Sequence, residues 1–218
     1  ILPPPEDSLY VFDEGHQLPA KCLNQFALRF HAAGTLQGLR DSERWLAASA
    51  EAWVAQGLDE RLIPAMTSLV GDLIQRSEDI AELLWQLLPE ADFERAEHRF
   101  PHGRIPADLA EQAAGLVAQW DQLYREATRL EAALENSQTA GSSPAESAIA
   151  GAGDPDLNLA NAQGLAARAE QQLAVWRAFA DAPGEGEPGD GWARWCQHRG
   201  TPQTVECQAS PILPGELL

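Results

Sequence analysis

The sequence predicts a mainly α fold. It is read as a helical body with a long antiparallel helical hairpin, and short β elements at both ends that belong to an adjoining α/β domain. Three observations lead there. Apolar residues recur at helical spacing in four stretches between Leu39 and Ala180. Strand-like patterns occur only near the two ends. Breaks rich in glycine, proline and acids separate these textures. With 218 residues the chain has room for one large domain or two small ones.

Taken in order, Leu9-Tyr10-Val11-Phe12 is a short apolar run preceded by Pro3, Pro4 and Pro5 and stopped by Asp13-Glu14. Its length, β-branching and aromatics favour a buried strand over a helix. Beyond Pro19 the texture turns helical. Leu39, Leu46 and Trp53 recur every seventh residue, with Ser42 and Ser49 at the alternate seam positions. Leu62, Met66, Leu69, Leu73, Ile80, Leu84 and Leu87 make a second stripe. Leu109, Ala113, Leu116, Trp120, Leu123, Ala127, Leu130 and Leu134 alternate four and three. Leu159, Ala162, Ala166, Ala169, Leu173, Trp176 and Ala180 alternate three and four, and the many alanines would let these last two helices approach closely as a hairpin.

Residues 137–157, with Gly141-Ser142-Ser143-Pro144 and Gly151-Ala152-Gly153, are expected to form a mobile loop at the hairpin tip. A second break runs from Pro183 to Gly191. Trp192 to His198, then Val205, Cys207 and Ala209 alternating with Thr204, Glu206 and Gln208, predict a β-hairpin or a pair of edge strands. Pro211 to Leu218 reads as a turn opening a helix. Strands at the ends and helices between them suit an insertion into an α/β domain.

Composition narrows the function. There are 15 Lys+Arg against 33 Asp+Glu, a formal charge of -18, and Lys21 is the one lysine. Phosphate neutralisation needs clustered cations, so the general surface is not expected to bind nucleic acid. No run of about 18 apolar residues predicts a membrane span. Three cysteines do not make a disulfide framework. The chain begins at Ile1 without a signal-peptide pattern and is expected to be a cytoplasmic piece of something longer.

The sharpest chemical signal is Asp13-Glu14-Gly15-His16 directly after an apolar strand. In nucleotide-hydrolysing sheets an acid at a strand's carboxyl end holds Mg²⁺, usually through water, and an adjacent Glu polarises the attacking water. His16 would link nucleotide state to a neighbouring motif. On spacing alone, a strand ending in an acidic turn fits equally well. The segment from Leu9 to Pro19 resembles motif II of the DinG/YoaA branch of XPD-like superfamily 2 DNA helicases. The segment Ala209 to Leu218 resembles the stretch that leads into motif III of that branch. In these helicases a mainly helical insertion, the arch domain, separates the two.

The resemblance implies that Asp13 coordinates Mg²⁺, Glu14 is the general base for ATP hydrolysis and His16 couples the two. It implies ATP as cofactor, and a 4Fe-4S cluster in the full-length protein whose cysteines precede Ile1. It divides the chain into 1–19, the end of a motor strand with motif II; 20–191, a helical arch; and 192–218, strands returning to the motor. The whole enzyme would unwind DNA 5′-to-3′ in repair, on single-stranded or forked DNA and with a replication or repair protein as a further partner. No G-x-x-x-x-G-K-[ST] loop occurs in the chain, so alone it is expected to be inactive.

Two other clusters bear weighing. Cys22, Cys196, His198 and Cys207 offer soft metal ligands, but no C-x₂-C pair occurs, and ordinary buried thiols are the better expectation. His98 and His102 flank Phe100-Pro101 in an expected loop and read as a satisfied or solvated pair and not as metal ligands. For DNA contact, Arg95, Arg99 and Arg104 form the one locally basic stretch, and Arg194 and Arg199 beside Trp192 and Trp195 make a smaller aromatic–cation cluster. The tryptophans packing the arch against the motor is the competing expectation. Arg125 after Asp121 and Arg129 after Glu126 read as helix-face ion pairs. Two further function classes stand beside the helicase: a helical protein–protein interaction module without enzymatic activity, and a free-standing acidic helical protein in which Asp13-Glu14-Gly15-His16 is fortuitous. An exposed apolar seam would favour the module, and a buried one the arch.

Overall fold

The four apolar stripes become four helices: α1 (Ala32–Ala55), α2 (Leu62–Gln86), α3 (Ala107–Ala140) and α4 (Pro155–Ala180). The computed structural model describes residues 27–55, 57–88, 96–140, 154–184, 189–198, 200–201 and 204–212. Asp13, Glu14, His16, Cys22, Arg95 and Arg199 lie outside the described residues, as does most of the connection between α3 and α4. The fold is mainly helical, as expected.

Every position of the α3 stripe from Leu109 to Leu134 is buried, and Ala162, Ala166, Ala169, Leu173 and Trp176 of α4 are buried opposite it. The seam of the hairpin is therefore closed within the chain. Leu39, Leu46 and Trp53 of α1 are buried with Ser42 and Ser49, and Ser42 donates its hydroxyl to the Gly38 carbonyl at 2.8 Å. Both expected ion pairs are present on the outer face of α3, Arg125 with Asp121 and Arg129 with Glu126.

Helix ends follow local chemistry. Past α1, Gly57 takes φ +90, its N–H bonds the Val54 carbonyl at 3.0 Å, and the Leu58 N–H reaches back to the Trp53 carbonyl at 3.0 Å. This pair of bonds is a Schellman motif, which needs the left-handed backbone that glycine adopts without cost. At α4, Asp154 caps by accepting from the Asp156 N–H at 3.0 Å and Pro155 takes the first helical position. Helix thus covers both ends of the stretch 137–157 that the sequence suggested as loop, because capping chemistry and the continued stripe extend the helices inward.

Among the described residues four strands complete the body: β1 (Leu28–His31), β2 (Ala96–Arg99), β3 (Trp192–His198) and β4 (Glu206–Pro211). They form one antiparallel sheet in the order β1-β4-β3-β2. The expected hairpin of 192–209 is present, but as the two central strands and not as an edge pair. It pairs with β1 and β2, which lie inside the stretch read as helical. His98, expected in a loop, sits in β2. Four-residue strands carry too little alternation to be recognised alone; ladder pairing makes them strands.

The sheet packs on the C-terminal half of α4. Phe30 meets Trp176 with ring centroids 4.9 Å apart, and Phe100 meets Phe179 edge-on at 6.4 Å. Leu28 in the first described strand pairs with Ala209 in the last, so these two strands are neighbours. Among the described residues no helix is long and apolar enough to cross a membrane.

Candidate nucleic-acid interface

Alternation along the strands gives the sheet two unlike faces. One carries Phe30, Cys196, Cys207, Ala209 and Arg194, all buried toward the helices. The other is polar, and the register lays it out in rows that cross all four strands. Arg29 lies opposite Gln208, Gln208 opposite Trp195, and Trp195 opposite Arg99. The adjacent row runs His31, Glu206, Gln197, Glu97. Three strand spacings of about 4.8 Å put the ends of each row about 14 Å apart.

A turn closes one side of this face. The Phe100 N–H bonds the Arg194 carbonyl at 3.0 Å, and Pro101–Gly103 then form a 3-10 turn. His102 takes φ 57 and Gly103 φ 72. A Cβ on Gly103 would stand 2.4 Å from the Trp192 carbonyl oxygen, so only glycine fits. His102 and Gly103 of the turn and both rows, His31 excepted, line a concave surface of about 1040 Å³.

Its electrostatics are zoned. Glu206 is the hub of the second row: His31 Nε2 lies 3.3 Å from its carboxylate, Gln197 Nε2 donates to it at 2.8 Å and Gln208 Nε2 at 3.4 Å. Arg99 is exposed and pairs with Glu97 at 2.6 Å. In the first row the half-buried Trp195 is flanked on the face by Gln208 and Arg99, with Arg29 beyond Gln208. An aromatic plane between cations is the composition that stacks bases and holds phosphates.

Among the residues singled out from the sequence, Arg99, Trp192, Arg194 and Trp195 all line this concavity. Arg104 follows the turn but is not among its lining residues. Arg194 is corrected from DNA contact to internal strut. It is 2% exposed, and its guanidinium donates to the Ala178 carbonyl at 2.6 Å, to the Gly103 carbonyl at 3.0 Å and to Asp190. Alternation explains it: neighbours in a strand point to opposite faces, so Arg194 and Trp195 cannot share one. Arg29 and Gln208 were not singled out, and no local signal marks them. Only the register brings them to Trp195.

The other cluster resolves into core. Cys196 and Cys207 face one another across β3 and β4. Burial, aided by Glu97, pushes the Cys196 thiol up to about 12, and burial pushes Cys207 well above the ordinary thiol range. His198 lies against Trp85 with ring centroids 4.2 Å apart and planes tilted by 45°, and its Nδ1 accepts from the Gly200 N–H at 3.0 Å. Burial lowers its pKa. His98 meets the Phe100 ring edge-on at 4.9 Å, whereas His102 lines the concavity, so the two histidines do not converge. Among the described residues no group of three or more His, Cys, Asp or Glu could hold a metal ion.

Compared with known proteins, the chain matches no family model and no curated sequence.

Proposed function

We propose that this chain is the stretch from motif II through the arch domain of a DinG/YoaA-type ATP-dependent DNA helicase, working in the cytoplasm. Its open sheet face is the part that meets single-stranded DNA. The observation that carries the insertion reading is the pairing of Leu28 with Ala209. A body that interrupts another domain must begin and end side by side, and this one does. The closed seam between α3 and α4 adds support, because an interaction module docking through that seam would leave it exposed.

The roles of Asp13, Glu14 and His16 rest on the resemblance of residues 9–19 to motif II. Asp13 would hold Mg²⁺ through water, Glu14 would take the proton from the attacking water, and His16 would couple that step to the motor. The ATP phosphates and the 4Fe-4S cluster would be held by residues outside this chain. Forked DNA and a replication or repair protein are the partners this reading assigns to the whole enzyme.

The test is DNA-stimulated ATP hydrolysis by the full polypeptide. Glu14→Gln should abolish turnover while leaving ATP binding intact. Arg99→Ala and Trp195→Leu should weaken stimulation by single strands without changing turnover in their absence. A full polypeptide that hydrolyses no ATP removes the helicase reading.

A further inference from the structure

We infer that the open face reads bases, preferring those that carry an exocyclic amino group, through Gln208. This rests on the single-strand reading of the face and deepens it. Gln208 is 7% exposed and sits in the first row between Arg29 and Trp195. Its amide orientation is forced. A carboxylate only accepts hydrogen bonds, so the amide nitrogen must face Glu206, to which it donates at 3.4 Å. The amide oxygen is turned the other way and makes no hydrogen bond among the described residues.

Gln197 also gives its amide nitrogen to Glu206, at 2.8 Å. The carboxylate thus fixes both amides, and an unpaired acceptor that meets solvent stands one strand from the half-buried Trp195 ring. A base stacked on Trp195 would bring its hydrogen-bonding edge over Gln208. Adenine and cytosine present an amino donor there, while thymine presents carbonyl oxygens on either side of a single N–H. The phosphates fall to Arg99 and Arg29 at the ends of the row. In the adjacent row the Glu206 carboxylate is taken up by the two glutamine amides.

The test is fluorescence anisotropy of labelled twelve-nucleotide oligo-dA, oligo-dC and oligo-dT against the 218-residue chain. Oligo-dA and oligo-dC should bind about fivefold more tightly than oligo-dT, the worth of one neutral hydrogen bond. Two phosphate contacts predict a slope of about -1.4 in log K against log salt. Gln208→Met, which keeps the volume and removes the acceptor, should erase the preference and keep the binding. Trp195→Leu should weaken all three by about tenfold. Arg99→Ala, a change on an exposed side chain, should leave the fold intact and lower the slope by about 0.7.

Equal affinity for the three oligonucleotides, or a preference that survives Gln208→Met, overturns base reading. Self-association that Trp195→Leu abolishes, with no oligonucleotide bound, assigns the face to a protein and overturns it too. ATP hydrolysis by the full polypeptide reports on the helicase reading separately, so the two can fail independently.

Discussion

Arg194 holds Asp190 in a two-point grip, Nη1 on Oδ1 at 3.0 Å and Nη2 on Oδ2, at the point where β3 begins. The same guanidinium reaches the Gly103 and Ala178 carbonyls, so one side chain ties together α4, the 101–103 turn and the start of β3. The turn is part of the concave face, and its position is set by a residue on the other side of the sheet.

Removing Asp190 should therefore cost more than a surface ion pair. Asp190→Ala leaves a buried guanidinium without its counter-charge and should destabilise by about 3 kcal/mol in urea unfolding. Burial raises the Asp190 pKa, but the hydrogen bond and charge of Arg194, with the Trp192 N–H, outweigh it and hold the carboxyl below its ordinary 3.8. A depressed carboxyl contributes stability that is present above its unfolded value and lost as pH falls through the folded one. Unfolding midpoints should decline below about pH 4, and Asp190→Asn should flatten that decline.

Two glycines should respond in opposite directions. Gly103→Ala puts a methyl group into the Trp192 carbonyl at a left-handed backbone position and should cost about 2 kcal/mol or more. Gly164→Ala lies within α4 with nothing near its Cβ and should stabilise by about 0.5–1 kcal/mol. Thermal unfolding followed by circular dichroism reads both.

The sheet thiols should be silent to a thiol reagent. Cys196 and Cys207 are fully buried with their pKa values pushed up, so the thiolate that reacts is scarce and shielded. Under native conditions Ellman's reagent should leave both unmodified, and denaturant should release both together. Fast native labelling of either, mapped by mass spectrometry, would show the sheet to be open.

His198 gives a second pH response at a milder pH. Its folded pKa is lowered by burial, so the unfolded chain takes the proton first as pH falls below about 6.5. The stability it contributes is complete above that value and drains as pH falls toward its folded pKa. His198→Phe keeps a ring against Trp85 and should remove this part of the pH profile, measured by chemical unfolding between pH 7.5 and pH 5.

The helices were legible because burial recurs with the helical period: each position from Leu109 to Leu134 in the stripe is buried. β1 and β2 were not, since Leu28–His31 and Ala96–Arg99 become strands through partners about 180 and about 100 residues away. The site was half legible for the same reason. Trp195 and Arg99 stand out as an aromatic and a cation in short basic stretches. That Arg29 and Gln208 join them is a property of strand order, which no local window contains. Arg194 was misplaced by adjacency in sequence, which in a strand means opposite faces.

The neighbouring positions of Leu28 and Pro211 also have a mechanical meaning. In the proposed insertion, two attachments one strand apart would make a hinge and not a clamp. From Trp176, seated on the sheet, α4 runs back to Pro155, a lever of about 30 Å. A rotation of about ten degrees at that hinge carries the far end of the hairpin about 5 Å. On that proposal the helical body would swing toward or away from the motor while every strand pairing stays made.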